Sequence, residues 1–328
     1  MINPDARLVS DLFAKDIEKK PTRDGFGTGT REAGNKDSNV VVLCADLKES
    51  TRAEWFEDAF PDRFVEMGVA EQNMATVGAG MAALGKIPFI ASYAAFSPGR
   101  NYEQIRTTIA LNNKHVVVCG MHAGVSVGPD GATHQMLEDI GLMRMLPRML
   151  VLVPGDAEEA RKAVLAAAAH DGPVYIRFGR TATPVFTTPE TPFALGKALT
   201  LWDHEKPKVA LLSTGTLTFE ALLAARILAS EGIESSVLHV PTVKPLDTEA
   251  IIAAARKAGR VVSIEEHQIM GGFGSAVAEC LSEAYPVPIK RIGVKDAFGQ
   301  SGTAEELMNH YGLSATHIAA AARTLIGV

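Results

Sequence analysis

Glu71 lies in the segment Gly68-Val69-Ala70-Glu71-Gln72-Asn73-Met74, which joins one carboxylate to small and polar neighbours. Gln72–Leu84 has a helical pattern, so Glu71 falls in the first turn of a predicted helix. A carboxylate there interacts favourably with the helix dipole, which is sufficient to explain most such acids. The residues alone therefore favour a helix-end charge over an acid–base group.

Two histidines accompany a glycine-rich loop. His122 follows Cys119-Gly120-Met121, which ends a predicted strand, and His134 lies in Gly128-Pro129-Asp130-Gly131-Ala132-Thr133-His134-Gln135. Imidazole and carboxylate groups can form hydrogen bonds or transfer protons. A single histidine is more often structural, however, and such a loop more often only turns the chain.

Arginines and a hydroxyl could hold an anion. Arg180 ends the segment Arg177-Phe178-Gly179-Arg180, Arg23 lies near the N-terminus, and Ser50 follows a predicted strand. A guanidinium fork fits phosphate oxygens, and a hydroxyl adds a donor. The net charge of −6 supplies no basic field, so an anionic substrate requires a few local cations. The alternative for each arginine is an ordinary surface side chain.

The composition of the 328-residue chain indicates a globular protein of two domains, with 47% hydrophobic and 21% charged residues. The negative charge argues against a nucleic-acid partner. No apolar stretch approaches the ~20 residues of a membrane helix, and the N-terminus lacks a signal-peptide pattern. We therefore expect no membrane partner and a cytoplasmic location. Cys44, Cys119 and Cys280 lie among aliphatic residues, which predicts reduced thiols and no metal site.

Short aliphatic runs alternate with longer helical patterns, which is typical of an α/β protein with mostly parallel sheets covered by helices. The predicted strands are 40–44, 88–90, 116–118, 150–153, 174–176, 209–212, 236–238 and 261–264. Threonines and prolines between residues 181 and 192 predict a linker. We accordingly predict an N-terminal helical extension, a first domain, a linker and a smaller second domain, at residues 1–20, 21–180, 181–195 and 196–328.

The segment around Glu71, with Arg63-Phe64-Val65-Glu66-Met67 before it, resembles the glutamate motif of the transketolase family. That family includes deoxyxylulose-phosphate synthase and, more distantly, the β subunits of 2-oxoacid dehydrogenases. The resemblance runs from about Pro21 to the C-terminus. It implies a thiamine-diphosphate-binding pyrimidine domain followed by a transketolase C-terminal domain, the latter serving assembly, with His267 as a structural residue.

The resemblance also implies a role for each candidate residue. Glu71 would bond to the aminopyrimidine of the coenzyme and assist removal of the thiazolium C2 proton, while the coenzyme supplies the difficult chemistry. The implied coenzyme contacts are Asp46, Leu47, Glu71, Tyr93, Phe96 and His134. The implied substrate contacts are Arg23, Ser50, His122, Asp130 and Arg180, with Glu71 and His122 as the catalytic pair. Two departures from the family pattern are an extra residue near Ser97-Pro98-Gly99-Arg100 and a proline at position 129.

The family anchors the coenzyme diphosphate through a divalent cation held by a Gly-Asp-Gly motif and an Asn roughly 25 residues further on. Gly155-Asp156-Ala157 lacks the second glycine, and no other segment matches. The resemblance therefore implies an N-terminal partner subunit that binds Mg²⁺ or Ca²⁺, and an α2β2 assembly. No metal ligand is expected in this chain.

These features favour the C-terminal subunit of a split transketolase, which would move a two-carbon ketol unit between ketose and aldose phosphates, as in the pentose phosphate pathway. One alternative is a subunit of a related enzyme, similar to deoxyxylulose-phosphate synthase or to a 2-oxoacid dehydrogenase. Another is a non-catalytic regulatory subunit of the same fold. The sequence does not name the sugar, and ordinary pentose phosphates and a branched pentulose phosphate are both open.

Overall fold

A computed structural model describes all residues, 1–328. The strands are β1 Lys19–Lys20, β2 Val40–Cys44, β3 Phe64–Glu66, β4 Ile87–Tyr93, β5 Val117–Met121, β6 Leu150–Leu152, β7 Val174–Arg177, β8 Thr183–Pro184, β9 Leu199–Trp202, β10 Val209–Ser213, β11 Ser235–His239, β12 Thr242–Lys244, β13 Val261–Gln268 and β14 Ile289–Val294. The helices are α1 Thr22–Lys36, α2 Lys48–Thr51, α3 Glu54–Ala59, α4 Glu71–Ala83, α5 Tyr102–Gln104, α6 Asp139–Met145, α7 Ala157–Ala168, α8 Leu217–Ser230, α9 Thr248–Ala258, α10 Phe273–Ala284, α11 Ala304–His310 and α12 Ala315–Ile326.

Two sheets organise the chain, and the predicted α/β class with mostly parallel sheets is confirmed. The larger sheet has the order β12-β6-β7-β5-β4-β2-β3, in which only β12 is antiparallel to its neighbour. The smaller has the order β14-β13-β10-β11-β9, in which only β9 is antiparallel. Every residue of β2 and β5 is buried, because helices cover both faces of the larger sheet.

The two halves of the chain share a core. One apolar cluster joins Val118 of the larger sheet to Leu212 of the smaller sheet and Phe273 of α10. The strand β12 comes from beyond residue 196, yet it pairs with β6 in the larger sheet. The boundary at 181–195 stays a prediction, and one strand from beyond it completes the larger sheet.

The predicted N-terminal helix is wrong. Asn3 does act as a cap, since its side chain accepts a hydrogen bond from the backbone of Asp5, but only one 3-10 turn, Pro4–Ala6, follows. Arg7 then adopts a left-handed φ of 50°, which ends the turn. The apolar residues beyond it, including the buried Leu12, pack against the core of the smaller sheet. Their spacing reflects burial of an irregular segment on its own chain.

The helix α1 is rich in glycine, which is unfavourable in a helix interior. Close packing explains it. A side chain at Gly25 would collide with the backbone of α7, and one at Gly27 would collide with the Trp55 ring. The glycines let α1 approach α7 and α3 closely, which positions Arg23 at the beginning of the helix. None of the helices in the structure combines the length and apolar character that a membrane crossing requires.

Candidate active site

The candidate residues converge at one edge of the larger sheet. The strands β3, β2, β4, β5 and β7 are neighbours in this order and run parallel, so their carboxyl ends lie side by side. The last residues of these five strands and the segments that follow them carry all but one of the candidate residues, namely Glu71, Asp46, Leu47, Ser50, Tyr93, Phe96, His122, Asp130, His134 and Arg180. The carboxyl edge of a parallel sheet is where α/β proteins bind ligands.

Glu71 is the first residue of α4 and is only 2% exposed. Its Oε2 accepts a hydrogen bond from Nη1 of Arg100 at 2.7 Å. Its backbone carbonyl accepts a second bond from the side chain of Asn101 at 3.0 Å. A buried carboxylate of this kind needs a partner that carries charge or donates hydrogen bonds.

An aromatic cluster is linked to Glu71 through Arg100, whose guanidinium group lies over the Phe96 ring. The rings of Tyr93 and Phe96 are stacked with centroids 6.0 Å apart, and His134 meets Phe96 edge-on at 5.5 Å. His122 stacks on Tyr93 at 4.2 Å. The glycine-rich loop and the ends of β4 and β5 thus meet in one group of planar side chains, which is suited to contact a flat heterocycle.

His122 adopts a positive φ of 54° directly after β5, a conformation that is costly outside glycine and that clusters at functional sites. Its Nε2 lies 3.0 Å from Nη1 of Arg23, which also donates to the carbonyl of Ser50 at 2.7 Å. Burial, together with the positive charges of Arg23 and Arg180, lowers the pKa of His122 to about 3. The ring is therefore neutral at physiological pH and can accept from Arg23.

A second group of side chains surrounds a cavity of about 340 Å³ that both Arg23 and Arg180 line. Nη1 of Arg180 donates to Asp130 at 3.0 Å and also to the carbonyl of Val127. Burial, assisted by the neighbouring arginines, lowers the pKa of Arg23. Two guanidinium groups facing one small cavity make a site that fits an anion.

Asp46 and Leu47 lie at the end of β2. Asp46 has a positive φ of 58°, and its backbone N–H donates to Glu66 at 2.7 Å. The side chain of Leu47 packs against the same apolar cluster as Tyr93. These residues share the edge with the aromatic group, although no direct contact joins the Asp46 side chain to it.

Residues of the second half of the chain form hydrogen bonds with the segments that follow β5. Oε1 of Glu266 accepts a bond from the backbone of Ser126, and a side chain at Gly124 would collide with this carboxylate. Nε2 of His267 accepts from the backbone of Gly141 at 3.2 Å. His267 is thus a buried contact between the two halves.

Three polar atoms near the site are buried without a hydrogen-bond partner: Nε of Arg23, Nδ1 of His122 and Oδ1 of Asn101. Such atoms are costly unless a ligand or water meets them. Together with the carboxylate and the rings they fit a polar heterocycle with an anionic sugar beside it. No group of three or more histidine, cysteine, aspartate or glutamate side chains suited to a metal occurs in the chain.

Sequence reasoning missed two contributors. Arg100 is absent from the predicted site residues, because nothing in the sequence indicates that it reaches Glu71 across 29 positions. The lining of the anion cavity also includes Thr303, at the start of α11. Its position could not be predicted, since it depends on how the two sheets pack.

Comparison with known proteins identifies similar families and relatives. Residues 18–185 match the family described as "Transketolase, pyrimidine binding domain", and residues 196–318 match "Transketolase, C-terminal domain". The chain is 41% identical to the 6-deoxy-6-sulfo-D-fructose transketolase subunit of a Clostridium species, covering 96% of this chain and 97% of that protein. It is 37% identical to an apulose-4-phosphate transketolase subunit of Phocaeicola vulgatus, over 89% of this chain and 93% of the relative.

A solved structure described as "Split gene transketolase, inactive beta4 tetramer" superposes with a TM-score of 0.87 at 43% identity. The superposition covers 94% of this chain and 98% of that one. The similarity therefore extends over nearly the whole length of both chains.

Proposed function

Because the chain belongs to the transketolase family and corresponds to its C-terminal subunit in split enzymes, we propose that it provides half of an active site for thiamine diphosphate. The complete enzyme would transfer a two-carbon ketol unit from a ketose phosphate to an aldose phosphate. An N-terminal partner subunit would hold the diphosphate and its Mg²⁺ or Ca²⁺, and two copies of each subunit would form the assembly.

The convergence of a buried carboxylate, a ring cluster and two arginines on one sheet edge carries this proposal. The coenzyme, when bound, supplies the carbanion chemistry that the protein lacks. Glu71 would hold or share a proton with the pyrimidine ring, and Tyr93 and Phe96 would pack against that ring. The remaining coenzyme contacts would be Asp46, Leu47 and His134.

The substrate would lie between His122 and the anion cavity. Nδ1 of His122 has no partner within the chain and would bond to an oxygen of the donor sugar. Arg23 and Arg180 would hold the charged end, with Ser50 adding a hydroxyl donor. Asp130 pairs with Arg180 in this structure. When a phosphate binds Arg180 instead, Asp130 would be free to contact a sugar hydroxyl.

The names of two relatives support a substrate with a charged end. One relative is named for a sulfonated ketose and the other for a ketose phosphate, and each of these sugars carries an anionic group. The arginine pair would bind either group, and we propose a phosphate for this chain because a dianion gains more from two guanidinium groups.

The decisive experiment combines this subunit with an N-terminal transketolase subunit that carries the Gly-Asp-Gly motif. We expect the isolated chain to show no submicromolar dissociation constant for thiamine diphosphate and no transfer of ketol units. The mixture should bind the coenzyme with submicromolar affinity and transfer ketol units. In the mixture, Glu71→Gln should leave assembly intact and reduce turnover about a hundredfold, because the amide has no acidic proton to share.

Exchange of the thiazolium C2 proton, followed by NMR after rapid quenching, should slow in parallel with turnover. Exchange and turnover close to wild type would reduce Glu71 to a helix-end charge and contradict the proposal. An assembly that binds the coenzyme but transfers no ketol unit from any sugar phosphate would instead favour a regulatory subunit. Submicromolar coenzyme binding by the isolated chain would contradict the shared site.

A further inference from the structure

The turn between β4 and α5 places Arg100 against Glu71. Asn101 ties this turn to the start of α4, since its side chain donates to the Glu71 carbonyl and to Oγ of Ser97 at 3.1 Å. This anchoring holds the base of the Arg100 side chain within reach of the carboxylate. The contact therefore follows from the backbone arrangement around Glu71.

Arg100 covers two groups at once. Its Nη1 donates to Oε2 of Glu71 at 2.7 Å, and its guanidinium carbon lies 4.6 Å from the centroid of the Phe96 ring. Under the proposed function these are the two groups that the pyrimidine ring of the coenzyme would contact. The guanidinium and the pyrimidine therefore compete for the same carboxylate and the same ring face.

The two partners differ in how easily they can move. Glu71 is 2% exposed at its side chain, whereas Arg100 is 47% exposed. Glu71 is the only ion-pair partner of Arg100, and no other hydrogen bond holds its guanidinium. The arginine can therefore swing into solvent while the glutamate stays in place.

The ion pair affects which groups can reach the Glu71 carboxylate. The positive guanidinium attracts the carboxylate of Glu71 and holds it in a charge-assisted hydrogen bond. While this ion pair persists, Oε2 of Glu71 is occupied by Nη1 of Arg100 and cannot bond to the coenzyme. The same ion pair is useful before coenzyme binding, because a buried carboxylate without a partner is costly.

We propose that Arg100 is a stand-in cation: it neutralises Glu71 in the coenzyme-free subunit, and the coenzyme's pyrimidine ring displaces it. Arg100 is then a positioning residue that keeps the site formed at the expense of coenzyme affinity. The inference rests on the proposed function for its ligand, but the ion pair itself can be tested without the coenzyme.

The first measurement is calorimetry of thiamine diphosphate with Mg²⁺ on the reconstituted complex. Arg100→Met removes the charge and keeps the aliphatic length, Arg100→Lys keeps the charge, and Arg323→Met breaks a remote ion pair with Glu231 as a control. We expect Arg100→Met to lower the dissociation constant about fivefold, and Arg100→Lys and Arg323→Met to stay within twofold of wild type.

Unchanged binding by Arg100→Met would overturn the proposal. Weaker binding would also overturn it, because Arg100 would then be a coenzyme contact. An equal gain in Arg100→Lys would overturn the role of charge. Absence of binding by every variant, wild type included, would overturn the proposed function together with the displacement.

The second measurement is the melting temperature of the isolated chain in a double-mutant cycle. Arg100→Met should lower it by about 2–4 °C, since it leaves the Glu71 carboxylate unpaired. In a Glu71→Gln background the same change should have almost no effect. Equal losses in both backgrounds would show that Arg100 stabilises the turn by packing alone, and the stand-in role would fail whatever the coenzyme data show.

Discussion

Acid should destabilise this protein partly through His122, and the effect can be isolated with His122→Gln. The ring is 1% exposed, lies 3.0 Å from a guanidinium nitrogen of Arg23, and has a pKa of about 3 in the folded chain. In the unfolded chain the pKa of a histidine is about 6.5. Between these two values the unfolded chain binds a proton that the folded chain excludes.

The sign follows from linkage: stability rises with pH where the unfolded state binds more protons. The contribution of His122 is therefore fully present above pH ~6.5 and is lost as the pH falls towards ~3. At pH 5, about 1.5 pH units below the unfolded pKa, the loss is about 2 kcal/mol relative to pH 7. Glutamine cannot titrate, so His122→Gln removes this term.

Urea-induced unfolding of both proteins at pH 7 and pH 5 measures the effect. The variant loses the stacking on Tyr93, so its stability at pH 7 can differ from wild type without consequence for the argument. The informative quantity is the change in the difference between the two proteins, which should favour the variant by about 2 kcal/mol at pH 5. His317→Gln, which alters an exposed ring, is the control. Parallel pH dependences of wild type and His122→Gln would refute the buried, neutral histidine.

Two further predictions address the anion cavity and the contact between the two halves. Arg180→Ala should reduce the efficiency with phosphorylated sugars about ten- to a hundredfold and spare unphosphorylated hydroxypyruvate, while Arg180→Lys should retain part of the difference; equal losses on both donors would make Arg180 structural. His239→Leu should lower the free energy of unfolding by about 3 kcal/mol, because Nε2 of His239 lies 2.7 Å from the buried carboxylate of Glu159, whereas Thr218→Val, which loses one hydrogen bond to the same ring, should cost about 1 kcal/mol. Equal small losses in urea unfolding would contradict the role of that carboxylate.

The buried parallel strands were predictable because both of their faces are covered, so the sequence shows uninterrupted aliphatic runs. Predicted strand 40–44 coincides with β2, and predicted strands 174–176 and 261–264 lie within β7 and β13. Helix α1 gave no such signal, because its glycines argue against a helix and only packing on α7 explains them. The prediction for the N-terminal segment was wrong for the opposite reason. The helical spacing of its apolar residues arises from burial of an irregular chain.

The residues of the candidate site were predicted by resemblance, and the roles assigned to them stay predictions. Physical reasoning on isolated residues favoured a dipole charge for Glu71 and surface side chains for the arginines. What decides between these interpretations is proximity, which depends on strand order. Arg100 illustrates the limit, because its partner lies on another element and neither residue indicates the other in the sequence.

The second half of the chain also helps to shape the candidate site, in addition to the assembly role expected of it. Nε2 of Gln135 donates to the carbonyl of Gln300 at 2.9 Å, to that of Gly128 in the glycine-rich loop and to that of Val125 just before the loop. A side chain at Gly299 would collide with the side-chain amide of Gln135 and displace it from these hydrogen bonds. The loop that carries Asp130 and His134 is thus held from the C-terminal side, and Thr303 lines the same anion cavity as Arg23. Because these contacts fix the loop that faces the cavity, the C-terminal half is a structural determinant of how the charged end of a sugar would be held.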